Sequence, residues 1–209
     1  ANATSTGSTT MYGISSYYSY NTTRSTEISG NKLHDLPFAG ATLTTTTMAS
    51  IYGFYVFYPY GNSTYRFKMD GNSQYNIYTT TGTNYYNYIY YPSYSDITNN
   101  QLYSAQMSGT TATGYAFNIY YPSYTTIVGN SIKDVVNAYY WYGYYVYYGS
   151  YIDVNNNVSD NVKMNGANYM YNWYIYYPTG LKCNGNTSNN NYCAGTYLYN
   201  FYIYYGSIG

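Results

Sequence analysis

From Ile51 onward the chain is built of short runs of alternating large and small or polar residues, cut by Pro, Gly and Asn-rich turns, which is the pattern of β-strands. Six runs share one motif: Phe54-Tyr-Val-Phe-Tyr-Pro59, Tyr88-Ile-Tyr-Tyr-Pro-Ser93, Asn118-Ile-Tyr-Tyr-Pro-Ser123, Tyr145-Val-Tyr-Tyr-Gly-Ser150, Tyr174-Ile-Tyr-Tyr-Pro-Thr179 and Tyr202-Ile-Tyr-Tyr-Gly-Ser207. The stop falls at 59, 92, 122, 149, 178 and 206, at intervals of 33, 30, 27, 29 and 28. Each copy reads as an apolar strand ended by Pro, which removes a ladder donor, or by Gly, which relaxes the backbone. Between copies lie turns and a second strand-like piece, such as Thr64 to Met69 or Asn161 to Met164.

A repeated strand pair admits two architectures. Each unit is either one coil of a parallel β-solenoid, in which Tyr and Asn would stack on their counterparts, or a strand out and a strand back in a β-sandwich. The drifting interval and loose matching between copies favour the sandwich. The expectation is therefore an all-β, Ig-like or pilin-like β-sandwich head over residues 34–209, with the parallel β-solenoid as the alternative.

Residues 1–33 differ, being led by Ser, Thr and Gly. One stretch in them alternates: Tyr12, Ile14, Ser16, Tyr18 and Tyr20 fall on one face of a strand and Gly13, Ser15 and Ser19 on the other. With little to bury on either side, this segment reads as a half-buried strand on a polar N-terminal arm.

Composition narrows the function. Of 209 residues 41 are Tyr, the formal net charge is zero, and charged residues make 7% where a soluble domain has about 25%. That excludes a basic nucleic-acid binder. An aromatic content of 23% argues against disorder. No apolar run is long enough to span a bilayer, and the start carries no secretion signal, so a processed mature form is expected. A surface of hydroxyls and amides does not titrate between acid and neutral pH, which suits exposure to acid.

Asn-x-Ser/Thr sequons stand at Asn2, Asn21, Asn62, Asn157 and Asn186, and mark candidate glycosylation sites. Cys183 and Cys193 flank a turn-rich loop in which a disulfide is expected, two buried thiols being the other reading. Chemistry for catalysis is thin. His34 is the single histidine and reads as a loop residue, its neighbour Asp35 being unable to share a strand face with it, and the remaining carboxylates are scattered. No catalytic residue, metal site or cofactor is expected beyond covalent N-glycans. The five lysines (Lys32, Lys68, Lys133, Lys163, Lys182) raise the question of isopeptide cross-links, but read as surface residues. Most of the tyrosines read as packing, although tyrosine faces can also stack on sugars.

The Tyr, Asn, Thr and Ser excess, the near absence of charge, the sequons and the Ala1-Asn-Ala-Thr start resemble secreted surface proteins of thermoacidophilic archaea. Among these the chain is similar to the subunit of the archaeal thread, a thin glycosylated filament. The resemblance implies an extracellular cell-surface filament, used for adhesion or in biofilms. It also implies a pilin-like sandwich completed by the N-terminal strand of the next copy, giving a homopolymer. On that reading Tyr12, Ile14, Tyr18 and Tyr20 form the donor strand, since strand addition satisfies backbone donors while alternate side chains fill a groove. The alternative is a Tyr-rich β-solenoid adhesin that binds carbohydrate.

Overall fold

The structure is a computed structural model and describes residues 9–20, 23–36, 48–80 and 82–208. It is all-β, and all its strand pairs are parallel. Three seven-stranded sheets wrap one core, and the chain visits them in the fixed order A, B, C. Sheet A contains β1 (Thr9–Tyr17), β4 (Met48–Phe57), β7 (Thr83–Tyr90), β10 (Thr113–Tyr120), β13 (Tyr140–Tyr147), β16 (Tyr169–Tyr176) and β20 (Tyr197–Tyr204). Sheet B contains β2 (Glu27–Ser29), β5 (Phe67–Asp70), β8 (Ser95–Thr98), β11 (Ser123–Val128), β14 (Ser150–Asn155), β17 (Thr179–Asn184) and β21 (Ser207–Ile208). Sheet C contains β3 (Lys32–Leu36), β6 (Ser73–Thr79), β9 (Gln101–Met107), β12 (Ser131–Asn137), β15 (Val158–Met164) and the split pair β18 (Thr187–Asn189) and β19 (Tyr192–Cys193).

This is a parallel β-solenoid, and it overturns the sandwich. Sandwich strands pair antiparallel with sequence neighbours; here each strand pairs with its counterpart one coil away. The drift that argued for a sandwich has a simple source. The connection from sheet C to sheet A is residues 108–112, 138–139, 165–168 and 194–196, which is five, two, four and three residues. The intervals containing them are 30, 27, 29 and 28, so the rest of every coil is a constant 25 residues. The 33-residue interval carries a longer connection from sheet A to sheet B, residues 58–66, against 91–94 one coil later. Corners absorb the insertions and the strands keep register.

In-register stacking places like on like. Val56, Ile89, Ile119, Val146, Ile175 and Ile203 form one column, and Leu36, Ile77, Ala105, Val135 and Val162 another across the core. All but Ile203 are buried. The strands of sheet A do not alternate strictly. Their burial runs in, out, then two residues inward, as at Ala116 and Phe117 or Gly143 and Tyr144. Tyr12 therefore faces out and Ile14 packs on the core, so the face of even positions expected from Tyr12 to Tyr20 is not a single face.

β1, which holds the expected donor-strand residues Tyr12 and Ile14, has a partner within its own chain. It pairs in parallel with β4 of its own chain from Thr9 to Tyr17 and forms the first rung of sheet A. The expected boundary between residues 33 and 34 falls inside β3, which pairs with β6 like any other rung.

A ladder of asparagines joins sheet B to sheet C. Asn31, Asn72, Asn100, Asn130, Asn157 and Asn186 stand directly before each sheet C strand, each preceded by a residue at positive φ: Gly30, Gly71, Asn99, Gly129, Asn156 and Gly185. Gly and Asn are the residues that tolerate this conformation. Within the ladder each Oδ1 accepts the backbone N–H and the Nδ2 of the asparagine one coil back, as Asn130 does from Asn100 at 2.9 and 3.0 Å. Each Nδ2 also donates to a carbonyl of sheet B, as Asn130 does to Ile97 at 2.8 Å. The amides are thus fully used inside the wall, which is the condition for burying them.

Candidate functional site: the tyrosine face of sheet A

The outward residues of sheet A form three columns of rings. The first is Tyr12, Tyr52, Tyr85, Tyr115, Tyr142, Tyr171 and Tyr199, whose successive centroids lie 4.7 to 5.2 Å apart and nearly parallel. The spacing follows from the distance between neighbouring strands, about 4.8 Å. The second column contains Tyr55 and Tyr88, stacked at 5.2 Å, and then Tyr145, Tyr174 and Tyr202, stacked at 5.1 Å. Rings of the first column stand edge-on to those of the second, with Tyr52 at 90° to Tyr55 and Tyr142 at 87° to Tyr145. Both geometries suit the ring quadrupole, and each such contact is worth about 0.5–1.5 kcal/mol beyond its buried area.

The third column is Phe57, Tyr90, Tyr120, Tyr147, Tyr176 and Tyr204, bordered at the corner by Tyr18, Tyr58, Tyr91, Tyr121, Tyr148, Tyr177 and Tyr205. These corner tyrosines all have φ between 48° and 55°. A left-handed Tyr costs roughly 1–2 kcal/mol, and the ring stacks along the corner, such as Tyr148 on Tyr177 at 5.0 Å and 3°, oppose that cost. Backbone pairing continues through the corner, since Tyr121 N–H donates to the Tyr147 carbonyl at 2.7 Å.

Crowding shows in the phenols. Burial, with neighbouring tyrosines adding to it, pushes the Tyr55 and Tyr85 hydroxyls up to about 12. Tyr88, Tyr115, Tyr145 and Tyr171 are raised further for the same reasons. The face is a neutral, rigid surface of ring edges and hydroxyls. Because rings within a column cover one another, their flat faces open only where a column is broken.

The second column breaks at two rungs, Ser15 and Asn118, which replace the ring in register with Tyr55 and with Tyr88 and Tyr145. At both, the ring two residues further on leans in. Tyr17 lies 5.5 Å from Tyr55 and Tyr120 lies 5.7 Å from Tyr145, tilted at 54° and 49°.

The residues singled out from sequence sit as follows. Asn2 and Asn21 lie outside the described residues. Asn62 caps a turn, its Oδ1 accepting the N–H groups of Thr64 and Tyr65 at 2.9 and 2.7 Å. Asn157 is a fully buried rung of the asparagine ladder, its Nδ2 donating to Ile127 and Asn186, which leaves no room for a glycan. Asn186 is the half-buried last rung, and its Nδ2 donates to the Val154 carbonyl. Cys183 and Cys193 are free thiols, on sheet B and sheet C respectively, instead of a disulfide. Burial raises the Cys183 thiol. Tyr12, Ile14, Tyr18 and Tyr20 belong to the first coil, Tyr18 stacking on Tyr58 at 5.2 Å.

His34 and Asp35 do meet. Asp35 has φ 54°, a kink in sheet C that turns both side chains outward, and His34 Nδ1 lies 2.8 Å from Asp35 Oδ2. The pair is exposed, and the imidazole stacks on Tyr75 at 4.7 Å as part of a side-chain ladder. All five lysines are exposed; Lys182 Nζ lies 3.9 Å from Asp153. Among the described residues, no group of three or more His, Cys, Asp or Glu could hold a metal ion, and no helix is long and apolar enough to cross a membrane.

Sequence reasoning foresaw stacked Asn only in general, under the solenoid alternative, without locating the asparagine ladder, and it missed the broken rung. The first had a signal, a Gly-Asn or Asn-Asn pair recurring at intervals of 28, 30, 27 and 29 from Asn72 to Asn186. The second was visible as the one Asn opening a motif that otherwise opens with Tyr or Phe.

No protein-family model, curated protein or solved structure matches this chain. The likeness to archaeal thread subunits therefore rests on composition and layout, and the fold it implied is not the one observed.

Proposed function

We propose that this chain is a non-catalytic surface module, a β-solenoid whose tyrosine face binds neutral carbohydrate. The observation that carries this reading is the in-register aromatic lattice of sheet A, in which ring edges and hydroxyls are held at the strand spacing. Such a surface offers apolar contact to the C–H faces of a pyranose and hydroxyls to its hydroxyls, and its rigidity avoids the entropy of ordering side chains on binding. The near absence of charge suits a ligand without charge, and an extracellular setting belongs to the same reading. The test is co-sedimentation with insoluble mannan, cellulose and chitin, followed by saturation-transfer NMR with the soluble tetrasaccharides. Binding lost on replacing Tyr142 and Tyr171 with Ser supports the reading. Absence of binding to every glycan at millimolar concentration refutes it.

A second reading, assembly with further copies, is favoured by the outer edge of β20. Leu198, Phe201 and Ile203 are 40%, 46% and 39% exposed, whereas Met170, Trp173 and Ile175, in register one coil earlier, are buried. Phe201 and Ile203 border a groove of about 360 Å³ with Leu181, Cys183 and Asn186. An added coil would cover them and extend the sheets, without any donated N-terminal strand. Electron microscopy of the purified chain distinguishes the two readings, since stacking gives rods longer than one chain and binding alone gives discrete particles.

A further inference from the structure

The tyrosine face is closed at every interior rung but one. Asn118 stands in the second column, between Tyr88 on one side and Tyr145 on the other. Two strand spacings separate those rings, roughly 9.6 Å, which is the room for one further ring in contact with both. The corresponding strand positions in β7, β13 and β16 are half-exposed tyrosines, but Asn118 is fully buried.

The ring that leans toward this gap is Tyr120. By register Tyr120 belongs to the third column between Tyr90 and Tyr147, yet it is tilted 45° and 56° to them, while Tyr147 and Tyr176 stack at 3°. Its centroid stays 6.1 and 5.3 Å from Tyr90 and Tyr147 while lying 6.0 Å from Tyr88 and 5.7 Å from Tyr145, so the tilted ring leans over the gap from the side.

Packing alone accounts for a ring filling a hole, as Tyr17 does beside Ser15. It does not account for Asn118. Both Oδ1 and Nδ2 of Asn118 are buried without a hydrogen-bond partner. Serine at the other gap places no carboxamide under the ring. A buried amide with neither donor nor acceptor used is a costly arrangement, and one that a ligand bearing a hydroxyl pair relieves.

We infer that the gap over Asn118 is a pyranose subsite covered by Tyr120: a neutral sugar ring enters between Tyr88 and Tyr145 and its hydroxyls pair with the Asn118 carboxamide. Tyr120 then turns from its tilt to stack flat in its column between Tyr90 and Tyr147. The two flanking rings supply C–H stacking on both faces of the sugar, and the amide, one acceptor and one donor group, matches adjacent hydroxyls that can each give or take a proton. This subsite rests on the carbohydrate reading above and names where on the face the sugar is held.

The test uses the intact chain with mannotetraose, cellotetraose and chitotetraose as probes, followed by titration calorimetry and by saturation-transfer NMR. Two variants move in opposite directions. Asn118→Tyr restores the ring found at the other rungs, so it keeps or improves the fold and closes the subsite; a loss of affinity of tenfold or more is expected. Tyr120→Leu removes the ring that leans over the gap, opening the cover, and a gain of several-fold is expected. If the wild type binds a probe and Asn118→Tyr binds it equally, the subsite is wrong and the broader carbohydrate reading stands. If the wild type binds none of the probes, both fall. Binding lost in Asn118→Tyr and strengthened in Tyr120→Leu supports the subsite, and unchanged melting of both variants excludes misfolding as the cause.

Discussion

The asparagine ladder makes the sharpest prediction, at Asn130. This side chain is fully buried, and four hydrogen bonds involve its carboxamide: from the Asn100 N–H and Nδ2, to the Ile97 carbonyl, and to Asn157 Oδ1. In Asn130→Ala, Asn157 Oδ1 keeps its bond from the Asn130 backbone N–H at 3.0 Å. Three groups are left unpaired in the wall: the Asn100 N–H, one Asn100 Nδ2 proton and the Ile97 carbonyl. Each buried unsatisfied group costs about 1–3 kcal/mol, so the substitution is expected to destabilise by about 4–6 kcal/mol. Domains of this kind are stable by about 5–15 kcal/mol in all, so the loss is a large share. The comparison is Asn186→Ala, at the half-buried end of the ladder, where water replaces the lost bonds and about 1–2 kcal/mol is expected. Urea unfolding followed by circular dichroism gives both values, provided the slopes agree. A loss below about 1.5 kcal/mol at Asn130, or one no larger than at Asn186, would refute the claim that the amides hold the coils together.

Three further outcomes follow from the side chains. In alkali, burial keeps the Tyr55 and Tyr85 phenols neutral up to about 12, so the folded state holds protons that the unfolded chain releases near 10. That contribution to stability is complete below pH 10 and declines as pH rises toward 12; a melting temperature that falls already between pH 7 and 9 contradicts it. Thiol titration with a chromogenic disulfide under native conditions should find two reactive groups, with Cys183 slow because burial suppresses its thiolate; zero thiols until reduction would show that the pair is oxidised after all. Produced in a glycosylating host and analysed by peptide mass spectrometry, the folded chain should carry no glycan at Asn157, whose Nδ2 is committed inside the ladder, and occupancy there would require that rung to open.

Much of the strand layout was legible because the signals are local. Pro59, Pro92, Pro122 and Pro178 end strands of sheet A by their own covalent structure, and the Tyr-Ile/Val-Tyr-Tyr run before them is strand-forming wherever it sits. The burial of Val56, Ile89, Ile119, Val146 and Ile175 could be expected from that run as well. The pairing partner was not legible. An interval that drifts from 27 to 33 is compatible with strands folding back or stacking forward, and only the corner lengths show that the drift lies wholly in the connections.

The site residues divide in the same way. His34 reads from sequence as a loop residue unable to share a strand face with Asp35, whereas it lies in β3 and the left-handed kink at Asp35 defeats the rule of alternation. Tyr12 and Ile14 were placed together for the same reason and separated by the double inward step of sheet A. Asn157 satisfies a sequon as text while its amide is buried, which no local pattern reports.

By itself the sequence determined the class of element, the positions where strands stop, the neutrality of the surface and the poverty of catalytic groups, since each of these is a property of residues taken singly or with near neighbours. Tertiary structure alone decided that the strands pair in parallel across coils, that Tyr120 tilts out of line with its column, and that Asn118 is buried unpaired. Those outcomes depend on contacts between residues about 30 apart, where a ring or an amide has meaning only through what stacks above and below it.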